Sequence, residues 1–384
     1  MVYRGLYKKI QSVLGHYPVI GLIGPRQSGK TTMLKGMFPD YAYVNFEDID
    51  IRQFATEDPR GFLLQYSGKV IFDEVQHVPE LFSYLQSKVD SEGKMGDFII
   101  SGSQNFQLIE KITQILAGRV AIFRLFPFTV QEMKEGNWLD KNLANVISKG
   151  FYPAIFQRAL DPDFYFANYL QAYVQRDISK LVNIQDNLTF KRFLKLCAFR
   201  AGQLVNFNEL ARDAGISHTT ARNWLAILET SFILYTLPPF FENFGKRLIK
   251  SPKLYFYDTG LLSHLLGIRK GAVDPTHAHW GQLFENMIVS EYIKQDAHEA
   301  GMREFYFWRD SKGHEVDLLY QDGDKLTIIE IKASKTVLLK MFDGLNYFEN
   351  ISTWKIQDKV LVYGGDQPQV RTDYKVVPWS ELTL

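Results

Sequence analysis

Short apolar runs, each closed by glycine or by acidic and hydroxyl residues, alternate in the first third of the chain with stretches whose apolar positions recur every three or four residues. Val19-Ile20-Gly21-Leu22-Ile23, Lys69-Val70-Ile71-Phe72-Asp73-Glu74, Asp97-Phe98-Ile99-Ile100-Ser101-Gly102-Ser103 and Val120-Ala121-Ile122-Phe123-Arg124-Leu125 read as strands apolar on both faces. That is what a parallel strand covered by helices on both sides requires. The alternation through about residue 128 predicts an α/β unit built on a parallel sheet with helices on both faces. From Phe164 to Phe199 the pattern turns helical, and Phe240 to Pro252 reads as a crossover. Past Leu283 a helix precedes alternating strands. The expected domains are 1–155, 156–245 and 246–384.

The first strand runs into Gly24-Pro25-Arg26-Gln27-Ser28-Gly29-Lys30-Thr31, which fits the phosphate-loop pattern G-x-x-x-x-G-K-[ST] and leads into a helix-compatible stretch from Thr31 to Met37, with Thr32 also expected to bind nucleotide. Glycines let successive backbone N–H groups turn inward around phosphate oxygens at a helix N-terminus. Lys30 is expected to reach the terminal phosphates of ATP, and the Thr31 hydroxyl to take a place on Mg²⁺.

The second strand ends in two carboxylates. Asp73 is expected to hold the same Mg²⁺, and Glu74 to polarise an attacking water, the role that separates an ATPase from a small-molecule kinase. The other reading is a plain strand ending at an acidic turn. In ATPases with a strand inserted between these two, a polar residue at the end of that strand senses the γ-phosphate. Ser101 and Ser103 both qualify, and Ser103 is alternatively the cap of a helix starting at Gln104. That helix is expected to reach about Ala117, and Arg119 follows it at the position of an arginine finger acting on a neighbouring subunit. Equally weighted is a structural cation at a helix end.

Composition narrows the classes. The 384 residues carry 46% hydrophobic and 23% charged residues, as a soluble globular chain of two or three domains does. A net charge of +1 gives no global positive field, so any nucleic-acid contact must come from a local patch. The single cysteine, Cys197, sits in an apolar helical run and is expected to be buried. The N-terminus lacks a signal-peptide layout, and the longest apolar run, Ser231 to Phe241, is broken by Pro238-Pro239. A cytoplasmic, membrane-free protein is expected.

Phe207 to Ile216 gives a short helix and a glycine turn at Gly215, after which Ser217 caps a second helix to about Thr230. This helix-turn-helix would expose His218, Thr219, Arg222 and Asn223, residue types able to reach DNA phosphates or base edges. The motif also serves as a packing or protein–protein unit. Further on, Glu315 to Tyr320 and Leu326 to Lys332 flank Gln321-Asp322-Gly323-Asp324. A two-residue Asp-Gly hairpin would pair Leu319 with Leu326, Asp317 with Ile328 and Glu315 with Glu330, placing Glu315, Asp317, Glu330 and Lys332 on one face. Three acids and an ammonium so placed suit a second Mg²⁺ or Mn²⁺, in the D…E-x-K layout of restriction-endonuclease-like nucleases. Lys332 is then the candidate nuclease lysine, and Glu285, on a helix, a further candidate ligand. The plain alternative is a solvated Glu-x-Lys pair on an amphipathic strand.

End to end the chain resembles the prokaryotic AAA+-like ATPases with a C-terminal DUF4143 region. The residues that carry this are GPRQSGKT (Gly24–Thr31), VIFDEVQ (Val70–Gln76), FIISGS (Phe98–Ser103), AGR (Ala117–Arg119), YVQRD (Tyr173–Asp177), SPKLYFYDTGLL (Ser251–Leu262), GQLFEN (Gly281–Asn286), EVD (Glu315–Asp317) and EIK (Glu330–Lys332). The resemblance implies a P-loop AAA+-type sheet, a helical and winged-helix middle, and an α/β nuclease-like C-terminal domain. It leaves the second sensor arginine open between Arg176 and Arg200. Two function classes follow: a hydrolase of Mg-ATP coupled to a DNA-associated C-terminal half, or a slow nucleotide-gated module that binds a protein partner.

Overall fold

The computed structural model of the chain describes residues 4–102, 112, 114–172, 187–241, 250–269, 273–301 and 303–384. Ser103 and Arg176 lie outside them. The chain divides into two compact units, Met1–Pro127 with Ala297–Gly301, and Phe128–Asp296 with Met302–Leu384.

In the first unit, β1 (Val19–Ile23), β2 (Ala42–Asn45), β3 (Val70–Asp73), β4 (Phe98–Gly102) and β5 (Val120–Arg124) form one sheet in the order β2-β3-β4-β1-β5. Every pairing is parallel. Strand β4 therefore stands between the strand that enters the glycine loop and the strand that ends in Asp73, the inserted-strand arrangement expected from sequence. Helices α1 (Leu6–Val13), α2 (Lys30–Met37), α3 (Ile49–Glu57), α4 (Pro59–Gln65) and α5 (Leu81–Glu92) cover the sheet. Because successive strand side chains alternate in direction, each strand feeds two cores. Val19, Val44, Phe72, Phe98 and Ile100 pack with Phe62 and Leu85. Ile20, Leu22, Ile71 and Ile99 pack with Leu6, Ile10 and Leu34. Burial on both sides of β1, β3 and β4 is why no polar residue interrupts those strands before their C-terminal ends.

The second unit opens with α6 (Val130–Glu135), α7 (Leu143–Lys149), α8 (Pro153–Gln157), α9 (Pro162–Tyr169) and α10 (Asn187–Phe199). Cys197 is a buried free thiol, as expected. Helices α11 (Phe207–Ala214) and α12 (His218–Thr230) form the helix-turn-helix. Asn206 caps the first, Gly215 at φ 76° turns the chain, and Ser217 accepts from the Thr220 N–H to cap the second. Strands β6 (Leu234–Leu237) and β7 (Lys253–Phe256) then pair antiparallel. After α13 (Thr259–Leu265) and the long helix α14 (Trp280–His298), a mixed sheet follows. It contains β8 (Phe305–Arg309), β9 (Glu315–Asp322), β10 (Lys325–Lys332), β11 (Lys355–Tyr363), β12 (Gln369–Val370) and β13 (Lys375–Pro378), in the order β12-β13-β11-β10-β9-β8. Helix α15 (Asp343–Ile351) contributes Leu345 and Phe348 to the core formed with Leu319, Leu326, Ile328 and Leu361.

The β9–β10 hairpin corrects the expected register. Leu319 pairs with Ile328, not Leu326, and Asp322 pairs with Lys325. The turn is Gly323-Asp324 rather than Asp322-Gly323. Gly323 takes φ 64° at the first central position, a conformation glycine adopts without steric cost. Each partner shifts by two residues. An even shift keeps every side chain on its original face, so the acidic face survives the correction.

Among the described residues no helix is long and apolar enough to cross a membrane.

Candidate functional site

The candidate phosphate loop lies between β1 and α2. Gly24 takes φ 151° and abuts the Leu125 carbonyl so closely that a Cβ would collide with it. Gln27 (φ 62°) and Gly29 (φ 97°) are also left-handed, and Gln27 pays roughly 1–3 kcal/mol of backbone strain for it. Strain kept at a loop that enters a helix N-terminus is the expected signature of an anion cradle. Pro25 and Ser28 are buried, Arg26 is half-buried and Thr32 is exposed. Among the described residues the Ser28 hydroxyl has no hydrogen-bond partner.

Lys30 is 5% exposed and donates to the carbonyls of Gly24 and Pro25, both at 2.9 Å. Burial lowers its pKa to about 8, against the opposing pull of Glu74 and Asp73. The ammonium thus rests on neutral carbonyls, beside the space an anionic ligand would fill.

Asp73 joins three elements. Thr31 Oγ1 donates to its Oδ2 at 2.7 Å, and Tyr43 from β2 donates to the same oxygen at 2.8 Å. The Ser101 hydroxyl from β4 and the Glu74 N–H, at 3.1 Å, donate to Oδ1. A hydroxyl and a carboxylate side by side at a helix N-terminus form a hard oxygen donor set, so Thr31 and Asp73 fit Mg²⁺. Glu74 sits just past the strand at φ 55°, and its carboxylate accepts from the Gln76 amide. Glu74 is thereby displaced from the strand line and held by a neighbour.

Two residues of this site escaped the sequence reading. Arg4 is 6% exposed and donates to Ser28 O at 2.9 Å and Phe126 O at 2.6 Å, bracing the loop from below. The Phe126 N–H in turn donates to Nε2 of His298 at 3.1 Å. No local pattern marks an arginine for that reach. Tyr43 lies on β2, a strand that the sequence reading did not include.

None of these hydrogen bonds involves Arg119. Its guanidinium holds Asp90 through Nε at 2.5 Å and Nη2 at 2.8 Å, and donates to Ala117 O. Arg200 is likewise engaged, with Asp213 at 2.5 Å. On α12, His218, Thr219, Arg222 and Asn223 are all exposed, as expected. Arg222 Nε donates to His218 at 3.4 Å and stacks over the Phe207 ring at 4.8 Å.

The C-terminal acids do converge, but on cations. Asp317 Oδ2 accepts from the Ile331 N–H at 2.8 Å and lies 3.4 Å from Lys332 Nζ, which also contacts Glu330. Burial, then the Asp317 charge, raises the Glu330 carboxyl to about 8. Glu285 meets Lys253 at 3.0 Å and the Tyr255 hydroxyl at 2.6 Å. Lys253 also reaches Glu315 at 2.5 Å, and Arg309 approaches Glu315 at 3.4 Å. Among the described residues no group of three or more acids, histidines or cysteines is arranged to hold a metal ion. The expected second metal at Glu285, Asp317 and Glu330 finds no support in this arrangement, where Lys253, Tyr255 and Lys332 hold an oxygen of each acid. Sequence reasoning missed Lys253, although it stands inside the SPKLYFYDTGLL string.

A parallel sheet with an inserted strand, a glycine loop at a helix N-terminus and an Asp-Glu pair at the next strand's end together define a P-loop ATPase-like protein. Comparison with known proteins extends this. Residues 16–134 match the AAA domain family, 140–272 a domain of unknown function, DUF8612, and 280–382 the domain of unknown function DUF4143. Uncharacterized proteins of Mycobacterium tuberculosis and Mycobacterium bovis are each 30% identical over 342 residues, covering 87% of this chain and 74% of theirs. One from Haemophilus influenzae is 22% identical over 391 residues, covering 91% and 90%. The chain belongs to the family of AAA-type P-loop ATPases with a C-terminal DUF4143 region. The Walker-type ATPase PABY2304 of Pyrococcus abyssi, 14% identical, covers 68% of this chain and 94% of its own at a TM-score of 0.43, too loose a superposition to bear on function.

Proposed function

We propose that the chain binds Mg-ATP in the Gly24–Thr32 loop and hydrolyses it. The observation that carries this is the Asp73 junction, where the hydroxyl of the loop's Thr31 meets the acid of β3 with Glu74 beside it. Backbone N–H groups of the loop bind the phosphate oxygens, and Lys30 exchanges the Gly24 and Pro25 carbonyls for them. Thr31 and Asp73 would hold Mg²⁺, which would supply charge neutralisation to the triphosphate. Glu74, oriented by Gln76, accepts a proton of the water in line with the γ-phosphate. Ser101, which donates to Asp73, registers loss of that phosphate in this reading.

The C-terminal half is proposed to engage DNA through the exposed His218, Thr219, Arg222 and Asn223. A second reading is a slow nucleotide-gated module with a protein partner. It is favoured by Arg119, which is occupied by Asp90 and is proposed to act as a finger only after self-association.

The deciding experiment is phosphate release from Mg-ATP by wild type and Glu74→Gln, each with and without duplex and single-stranded DNA. Turnover lost in Glu74→Gln with ATP binding kept, and raised by DNA, supports the DNA-coupled hydrolase. Turnover near zero throughout, with ATP bound, leaves the gated module.

A further inference from the structure

Four carboxylates crowd one end of the β9–β10 hairpin: Glu285 from α14, Glu315 and Asp317 from β9, and Glu330 from β10. In a hydrolytic site of this layout such a group is held together by a divalent cation that shares its oxygens. Here each acid already has at least one oxygen taken. Glu285 Oε1 accepts from both Lys253 and Tyr255, and Glu315 Oε1 from Lys253. The other Glu315 oxygen faces Arg309. Asp317 Oδ2 is held by the Ile331 N–H and Lys332, and Glu330 Oε1 by Lys332. Glu330 Oε2, buried without a partner among the described residues, lies under Gly344 at the start of α15, where an added Cβ would stand 3.4 Å from it. The same Cβ would collide with the Glu315 carbonyl, so the helix roofs the acids closely.

We propose that Lys253 stands in for the divalent cation: its ammonium, 3% exposed and lodged between Glu285 and Glu315, is the resident counter-charge of a metal-independent, non-hydrolytic site. The placement is specific. Lys253 comes from β7, outside the hairpin, and bridges the acid of α14 to the first acid of β9. An ammonium has no open coordination position and cannot polarise a bound water as a metal does. The C-terminal half then works as a scaffold or grip whose rigidity depends on this lysine, and the inference does not rest on the ATPase reading.

The test uses the full chain without nucleotide, in an Asp73→Asn background that removes the acid of the loop's metal site. Mn²⁺ is titrated and free ion read by its electron paramagnetic resonance signal. The expected result is no saturable site that Asp317→Asn abolishes. A stoichiometric site lost in Asp317→Asn would overturn the proposal. In parallel, Lys253→Met is melted in EDTA and in Mn²⁺. It is expected to melt well below its parent in EDTA and to recover several degrees in Mn²⁺, while the parent melts alike in both. A Lys253→Met melting point equal to the parent's would also overturn it. If Lys253→Met does not fold, the parent's titration still decides, and Lys253→Arg, which keeps the charge, is expected to fold with no gain from Mn²⁺.

Discussion

The Tyr43 hydroxyl donates at 2.8 Å to Oδ2 of Asp73, the oxygen that Thr31 also reaches at 2.7 Å. Two donors from β2 and α2 thus converge on one oxygen at the end of β3. Tyr43→Phe should lower stability by roughly 1–2 kcal/mol, the value of a hydrogen bond to a charged group discounted for partial exposure. Urea unfolding measures the loss. Nucleotide affinity without Mg²⁺ should hold, because Tyr43 touches Asp73 and not the loop.

Arg4 joins two carbonyls that are otherwise far apart in sequence, Ser28 and Phe126. Arg4→Met should weaken ATP binding about tenfold, equivalent to roughly 1.4 kcal/mol. Arg4→Lys should recover only part of it, because one ammonium cannot span both acceptors as a guanidinium fork does. Fluorescent-nucleotide titration distinguishes the two variants. Equal affinity in all three proteins would exclude a bracing role.

The Lys30 ammonium gives a pH dependence with a definite sign. Its folded pKa is lowered from 10.5 to about 8. Between those values the unfolded chain keeps the proton and the folded chain has lost it, so this group makes stability rise with pH across that window. Below about 8 both states are protonated and the burial penalty stands in full. Phosphate binding needs the charged form, so ATP affinity should fall above about pH 8 and binding near pH 9 should take up a proton. Calorimetry in buffers of different ionisation heat detects that uptake, and Lys30→Met should abolish it.

Asp90 holds Arg119 through two hydrogen bonds on an exposed surface. Were Arg119 to act on a neighbouring subunit, Asp90→Asn would free it. The specific ATPase rate of Asp90→Asn should then exceed wild type and climb with protein concentration, while Arg119→Ala stays low and flat. A concentration-independent rate in all three would leave Arg119 as a helix-end cation.

Where the sequence was sufficient, the requirement was local. The strand at Val19–Ile23, the positive φ at Gly24 and Gly29, and the carboxylates closing Val70–Asp73 each follow from what a neighbouring stretch of backbone must do. The helix-turn-helix was legible for the same reason, since Gly215 and Ser217 act within a few residues of their own positions. The hairpin register was missed because Asp322-Gly323 and Gly323-Asp324 are both acceptable turns, and only packing chooses between them.

The remainder of the site is long-range. Arg4 reaches residues 24 and 122 positions away, Tyr43 crosses 30 to meet Asp73, and Lys253 crosses 32 to meet Glu285. Such pairings depend on how strands and helices stack, and a charged or hydroxyl side chain carries no mark of the partner it will find. By itself, then, the sequence determined a parallel sheet with a phosphate loop and its acidic partners, because backbone geometry and two-sided burial restrict residue type locally. The tertiary structure alone decided that Asp73 has three side-chain donors, that Asp90 occupies Arg119, and that a lysine rather than an empty acidic cleft fills the C-terminal cluster. Burying charge demands a counter-charge, and only the folded packing selects which one.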